Sequence, residues 1–287
     1  MSFISTLKIN RHTVGKDILA GLTAAIAAIP DGMASATLAG VNPVYGLYNL
    51  MVGTPVAALF TSSVYMAVIN ASAMALVVFD ALAPYSGEEQ VSAMVTLTFL
   101  VGLFMLAMGL LKLGWLTRFI SNSVMRGFLT GVAVVIILGQ LSDFTGYELQ
   151  GENYLAQVVD LVLNLGQVDL ATLAIGVLTI VLILIFDRTP LKSFSMLVAL
   201  IIGAVLVKVA GLDSVALVGD IPSGLPTPML PAISLVPELL LSAIAIGIIG
   251  LVQASGVSQG YPNPDGKFPN PDGDFRGQGI GNTIASF

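Results

Sequence analysis

Apolar stretches of membrane-crossing length recur along this chain, and they constrain its fold more than any other feature. They run over residues 18–38, 47–60, 67–82, 91–111, 128–140, 170–186, 194–212 and 235–252. A hydrocarbon core about 30 Å thick needs roughly 20 apolar residues in a helix that rises about 1.5 Å per residue. The second, third and fifth stretches are short for that task unless they tilt, use flanking residues or are incomplete helices. Only 10% of the residues are charged and 56% are hydrophobic, whereas about 25% are charged in soluble domains. The expected fold is an all-α polytopic membrane protein with about eight helical segments, and the lipid bilayer is its first partner.

The same composition removes several classes of chemistry. There is no cysteine, so thiol catalysis, disulfides and cysteine metal centres are excluded. The one histidine, His12, sits among Lys8, Arg11 and Lys16 ahead of the first span, where a histidine metal centre is not expected. No cofactor or metal site and no nucleic-acid partner is expected. Scattered Asp and Ser residues form no recognisable triad or metal set, so the chain does not read as an enzyme. A basic start followed by an apolar run resembles a signal peptide, but the run leads straight into further spans and is read as a retained helix.

Charge placement sets an expected topology. With the N-terminus inside, Lys112, Arg118, Arg126, Arg188, Lys192, Lys267 and Arg276 fall on the cytoplasmic side with the N-terminal cations, and Lys208 falls opposite. Residues 1–16 then form a cytoplasmic segment, and 17–257 the membrane domain. Residues 258–276 form a cytoplasmic loop. The loop carries Pro-Asn-Pro-Asp-Gly twice, at 262–266 and 269–273. Asn-Pro and Asp-Gly favour turns, and Asp265, Asp272 and Asp274 lack the spacing of a calcium-binding loop. Gly102 with Gly109, Gly127 with Gly131, and Gly247 with Gly250 are expected to let helices approach closely. Pro30 predicts a break in the first span.

From residue 17 the chain reads DILAGLTAAIAAIPDGMASATLAGVNPVYGLYNL, which resembles the SulP inorganic-anion transporter family in its AGLT, IP-x-x-MA, LAG and PVYGLY elements taken in order. FISNSVMRGFLTG from Phe119, GDIPSGLP from Gly219 and GQGIGNTIASF from Gly277 extend the resemblance. It implies a carrier of fourteen helical segments in two inverted repeats of seven, divided into core and gate, with broken first and third helices. This chain would cover the first repeat and the first helix of the second. It is therefore expected to be an incomplete carrier lacking the C-terminal STAS domain. Departures are plain: Asp31 follows Pro30 where Gln is common, Ser35 stands for a Tyr, Ser62-Ser63-Val64 for Thr-Ser-Arg, and Gln253 for a Glu.

The resemblance implies secondary transport of a small anion, sulfate-like or bicarbonate-like, by alternating access. A broken helix exposes amides that attract an anion without a fixed cation. The expected substrate-binding residues are Asp31, Ser35, Asn70, Ala71, Ser72, Gln253 and Ser255. Asn70 and Ser72 either donate to the anion or cap the third helix. Asp31, costly as an isolated charge at membrane depth, is either a coupling residue that takes up a proton or a local cap. For Ser255 a packing or backbone-capping role is the favoured alternative to a place in the cavity. A proton or sodium co-ion, a homodimer, and a bacterial inner-membrane location are the corresponding expectations. A dicarboxylate carrier and a non-transporting scaffold that recruits partners are the alternatives. A channel is disfavoured because no filter motif repeats.

Overall fold

The computed structural model describes residues 14–119, 122–151, 153–217 and 227–287. His12 with Lys8 and Arg11, and the motif beginning at Gly219, lie outside the described residues. All the regular secondary structure among the described residues is helical. In chain order the helices are α1 (Val14–Leu38), α2 (Pro43–Phe60), α3 (Ser72–Leu82), α4 (Gly87–Leu110), α5 (Asn122–Gly139) and α6 (Leu141–Thr145). They continue with α7 (Tyr154–Leu163), α8 (Leu170–Phe186), α9 (Ser195–Ala210), α10 (Val236–Gly260) and α11 (Pro271–Ala285).

Capping chemistry explains many of the starts. Asn42 accepts from the Val44 amide and Pro43 occupies the first turn, where its missing N–H costs nothing. The second Pro-Asn-Pro-Asp-Gly copy repeats the device, with Asn270 accepting from the Asp272 amide and Pro271 in the first turn of α11. α11 therefore begins at Pro271, ahead of residue 277, where the family resemblance implies the start of a further helix over 277–287. Glycines there count as polar on a hydropathy scale yet serve helix contact. α7 was not among the expected segments. Asn153 caps it, and its Leu155, Val159, Val162 and Leu163 are exposed at helical spacing. Ten residues fall short of a span.

Pro30 lies inside α1, which runs on as helix to Leu38, so the break expected there is not seen. The third segment does differ from a continuous span: residues 61–71 are non-helical and α3 starts only at Ser72. Among the described residues three helices are long and apolar enough to cross a membrane, namely Val14–Leu38, Gly87–Leu110 and Ile233–Ser258, where a short turn of tighter helix precedes α10. The other apolar helices are shorter, as at Leu170–Phe186 and Ser195–Ala210.

α11 packs on α4 and α2, α10 on α4 and α3, and α1 on α2 and α3, while α8 packs on α9 and α6. The buried core gathers Leu82, Leu97, Met105, Leu239, Ala243 and Phe275. Close approach depends on missing side chains. A Cβ at Gly46 would lie 2.0 Å from the Gly32 carbonyl oxygen, and one at Gly279 would lie 2.4 Å from the Leu106 amide. Gly102 and Gly109 of α4 receive α11, and Gly247 and Gly250 of α10 receive Phe104 and Met105. Among the described residues nothing lies within 4 Å of a Cβ built at Gly127 or Gly131, so the packing expected of that pair is not seen there.

Outside the spans, the Asp169 carboxylate ties the start of α8 to the segment that follows α9. Its carboxylate accepts from the Ala171 and Thr172 amides, from Thr172 Oγ1 at 2.5 Å and from Ser214 Oγ at 2.9 Å. The Thr172 hydroxyl, then its amide, then Ser214 hold the carboxyl down at about 2. Because the folded value lies below the ordinary aspartate value of about 3.9, the contribution is present above that value and fades as pH falls toward about 2.

Two outcomes are expected. Gly46→Ala lowers stability by about 1–3 kcal/mol, the usual cost of overpacking, as read by thermal unfolding of detergent-purified protein. Asp169→Asn lowers the unfolding midpoint at pH 7, and its difference from the parent chain shrinks toward pH 3.

Candidate functional site

The start of α3 is the local feature from which a site can be built. Ala71 stands at the cap position with φ of −121° and has no side-chain acceptor to offer, so the first amides of α3 receive no side-chain cap. Such amides carry the positive end of the helix dipole. Ala71 at that start, with Met74 and Ala75 of the first turn, lines a cavity of about 270 Å³ together with residues from α1, α2, α4, α10 and the end of α11, while Ser72 stands beside Ser35 outside the lining. The cavity's polar lining includes Ser35, Tyr45, Tyr48, Asn49, Asn70 and Asn282, and no charged residue lines it among the described residues.

Hydrogen bonds fix how these groups can act. The Asn70 carboxamide donates to the Gly32 and Gly46 carbonyls, each at 3.3 Å, and its oxygen accepts from Asn49 Nδ2. Gly32 and Gly46 mark the tight crossing of α1 with α2. Asn70 therefore spends its donors bracing that crossing against the start of α3, which makes it a positioning group in this conformation. Ser35, buried on α1, lies with its Oγ 3.3 Å from Ser72 Oγ, a contact in which either can donate. One hydroxyl proton of that pair is free for a third partner. Thr54 Oγ1 donates to the Val68 carbonyl at 2.7 Å, serving the non-helical backbone just before the site.

The structure thus brings Ser35, Asn70, Ala71 and Ser72 together. Asp31, Gln253 and Ser255 do not line this cavity. Asp31 is half-buried on α1, one residue before the Gly32 crossing. Ser255 is buried and turns back to the Leu251 carbonyl at 2.7 Å, an ordinary intrahelical bond. Asn49 and the two tyrosines were not singled out in the sequence. The available signal was a carboxamide inside an apolar helix, since polar groups at membrane depth usually face a cavity or a partner.

At the far end of α3, Tyr85 donates to Glu238 at 2.7 Å and links the α3–α4 turn to α10. That hydrogen bond, with smaller help from burial and neighbouring acids, pushes the phenol up to about 12. The link holds across the neutral range.

Comparison with known proteins places this geometry. The pattern that defines the sulfate permease family matches residues 14–287. "Probable sulfate transporter 4.2" of Arabidopsis thaliana is 33% identical over 284 residues, covering 94% of this chain and 42% of the relative. A "Probable sulfate transporter" of Mycobacterium tuberculosis is 32% identical over 282 residues, covering 96% and 50%. The chain thus spans half or less of the length of these two relatives. Among solved structures, the transmembrane domain of the cyanobacterial bicarbonate transporter BicA superposes with a TM-score of 0.78 at 24% identity, covering 97% of this chain and 74% of that one. Murine Slc26a9, an anion transporter in the inward-facing state, gives 0.86 at 20% identity, covering 99% and 52%. These likenesses establish the fold.

Replacing the Asn70 amide by a carboxylate would set an acceptor against two carbonyls. Asn70→Asp is expected to lower stability by about 1–3 kcal/mol, more than Ser72→Ala does, in parallel thermal unfolding curves.

Proposed function

We propose that this chain, which belongs to the sulfate permease family, forms the part of a multi-pass anion carrier that presents the start of α3 to its substrate. The observation that carries the reading is the uncapped start of α3 opening on a cavity without a charged side chain among the described residues. A helix start concentrates roughly half an elementary positive charge. It can replace part of an anion's hydration without the trap that a fixed lysine or arginine would create. Ser35 and Ser72 supply hydroxyls beside it. An acidic lining would oppose this, and none is present among the described residues.

The substrate in this reading is a small inorganic anion, sulfate-like or bicarbonate-like, released by alternating access. Fold and family support a permease; the choice of anion rests on the relatives' names. Family membership places the protein among transporters, not enzymes. Asp31 is the proposed coupling group, because a half-buried carboxylate next to the α1–α2 crossing can feel both its own protonation and the movement of α1. Gln253 and Ser255 stay in the proposal only as polar groups on α10 that another conformation would have to bring toward the site. The N-terminus is assigned to the cytoplasm on the basis of loop cations, the bacterial inner membrane on the family resemblance alone, and a homodimer is the proposed assembly.

Purified protein is expected to gain thermal stability from sulfate or bicarbonate, relative to gluconate at equal ionic strength, and to lose that gain in Ala71→Asp. In proteoliposomes the anion that stabilises should also show saturable flux, reduced about tenfold or more by the same substitution, which sets a negative charge at the helix start. Neither stabilisation nor flux with either anion would refute the site. For coupling, Asp31→Asn is expected to flatten the dependence of uptake on an imposed proton gradient. Unchanged pH dependence and turnover would remove Asp31 from the mechanism.

A further inference from the structure

Residues 61–71 form non-helical backbone that leads into the α3 start, and one buried carboxylate holds the beginning of that stem. Asp274, in the first turn of α11, is fully buried. Its Oδ1 accepts from the Ser62 amide at 2.7 Å and the Ser63 amide at 2.9 Å. Ser62 Oγ lies 2.9 Å from the same oxygen and 2.8 Å from the Asn270 carbonyl, and shares its proton between them. Oδ2 accepts from Ser258 Oγ of α10 at 2.5 Å. That hydroxyl also lies 3.0 Å from the Ala254 carbonyl, but the carboxylate is the stronger acceptor for its single proton.

The tandem repeat completes the grip. Asn263, from the first copy, donates to the Ser62 carbonyl at 3.0 Å and accepts from the Val64 amide at 2.9 Å. Asn270, from the second copy, donates its amide to Ser62 Oγ at 2.8 Å. Contact this close requires bare backbone on α11: a Cβ at Gly273 would lie 2.9 Å from Ser62 Cβ, and one at Gly277 would lie 2.5 Å from Thr61 Cγ2. Ser63 Oγ is buried with no hydrogen-bond partner among the described residues. The segment is thus held by its amides and by Ser62, not by the Ser63 hydroxyl.

We propose that Asp274 is a positioning residue for the anion site, locking the stem of α3 to α10 and α11 so that the Ala71 start stays fixed against them. The Pro-Asn-Pro-Asp-Gly repeat acts as the strap of this lock. Its functional meaning rests on the reading of the α3 start as the anion site, but the lock itself is a statement about how freely that start moves. The lock touches no substrate. It acts through backbone that otherwise lacks helical bonds, so its loss loosens the α3 start more than distant helices.

The absence of native cysteine makes the test direct. Ala71→Cys is introduced into the full chain, the protein is reconstituted without sulfate or bicarbonate, and labelling by a membrane-impermeant maleimide is timed. Leu165→Cys, in the turn between α7 and α8, serves as control. Asp274→Asn keeps an acceptor for the two amides but cannot accept from Ser258 where the carboxylate did. It is expected to raise labelling at position 71 about tenfold, as loss of a charge-assisted bond implies, with position 165 unchanged. Ser258→Ala leaves both amides bonded and should act in the same direction more weakly. Labelling at position 71 within about twofold of the parent in both variants would overturn the lock. If Asp274→Asn is not monodisperse, Ser258→Ala decides alone, and no change there also overturns it. Protection of position 71 by added sulfate or bicarbonate tests the anion site separately.

Discussion

Backbone that leaves the helix inside a membrane fold must find its hydrogen bonds elsewhere, and the stretch from Thr61 to Ala71 is where this protein meets that requirement. Lipid offers no donors or acceptors, so each unserved peptide group costs several kcal/mol. Side chains answer from several directions. Asp274 and Asn263 serve residues 62–64, Thr54 serves the Val68 carbonyl, and Asn70 turns its own carboxamide onto the α1–α2 crossing. The short α3, its uncapped start and the cavity beyond all follow from a stem that is satisfied without being helical.

The helices that supply these partners can come close only because they lack side chains at the contacts. α11 slides between α2 and α4 through Gly277 and Gly281 on one side and Gly279 on the other. That approach carries Asp274 to Ser62 across 212 positions of sequence. Without a strong hydrophobic drive between helices in lipid, such close backbone contact and interhelical hydrogen bonds are the principal sources of association. The same substitution pattern that lowers the hydropathy of α11 is what makes it an interior helix. A polar-looking segment thus sits at the centre of the fold.

The anion reading depends on an economy of charge. A cation fixed in the cavity would bind an anion but also retain it, whereas a helix start gives a modest, directional potential. Asn70, expected from its residue type to offer donors, has both committed to carbonyl groups, while the Ser35–Ser72 pair retains a spare proton. Rigidity and binding are therefore divided between neighbouring residues, the carboxamide bracing the backbone that the amides and hydroxyls use.

Hydropathy by itself determined that the chain is polytopic and helical, located most of its apolar segments, and marked the second, third and fifth as short, because the transfer energy of an apolar segment into lipid is a property of local sequence. Family-like motifs over residues 17–50 pointed to Ser35, and the family-like segment that follows Ser62 pointed to the start of α3. Local sequence also favoured turns in the Pro-Asn-Pro-Asp-Gly copies, through residue-level preferences. It could not place α11, whose glycines lower its hydropathy, nor show that α1 runs through Pro30, since neighbouring helices decide whether a proline breaks or is absorbed. Only the tertiary structure separated Asp31, Gln253 and Ser255 from the cavity lined by Ser35 and Ala71, and only it joined Asp274 to Ser62. A buried hydrogen bond depends on where two distant backbones meet, and that meeting is set by packing between helices whose separate sequences carry no record of each other.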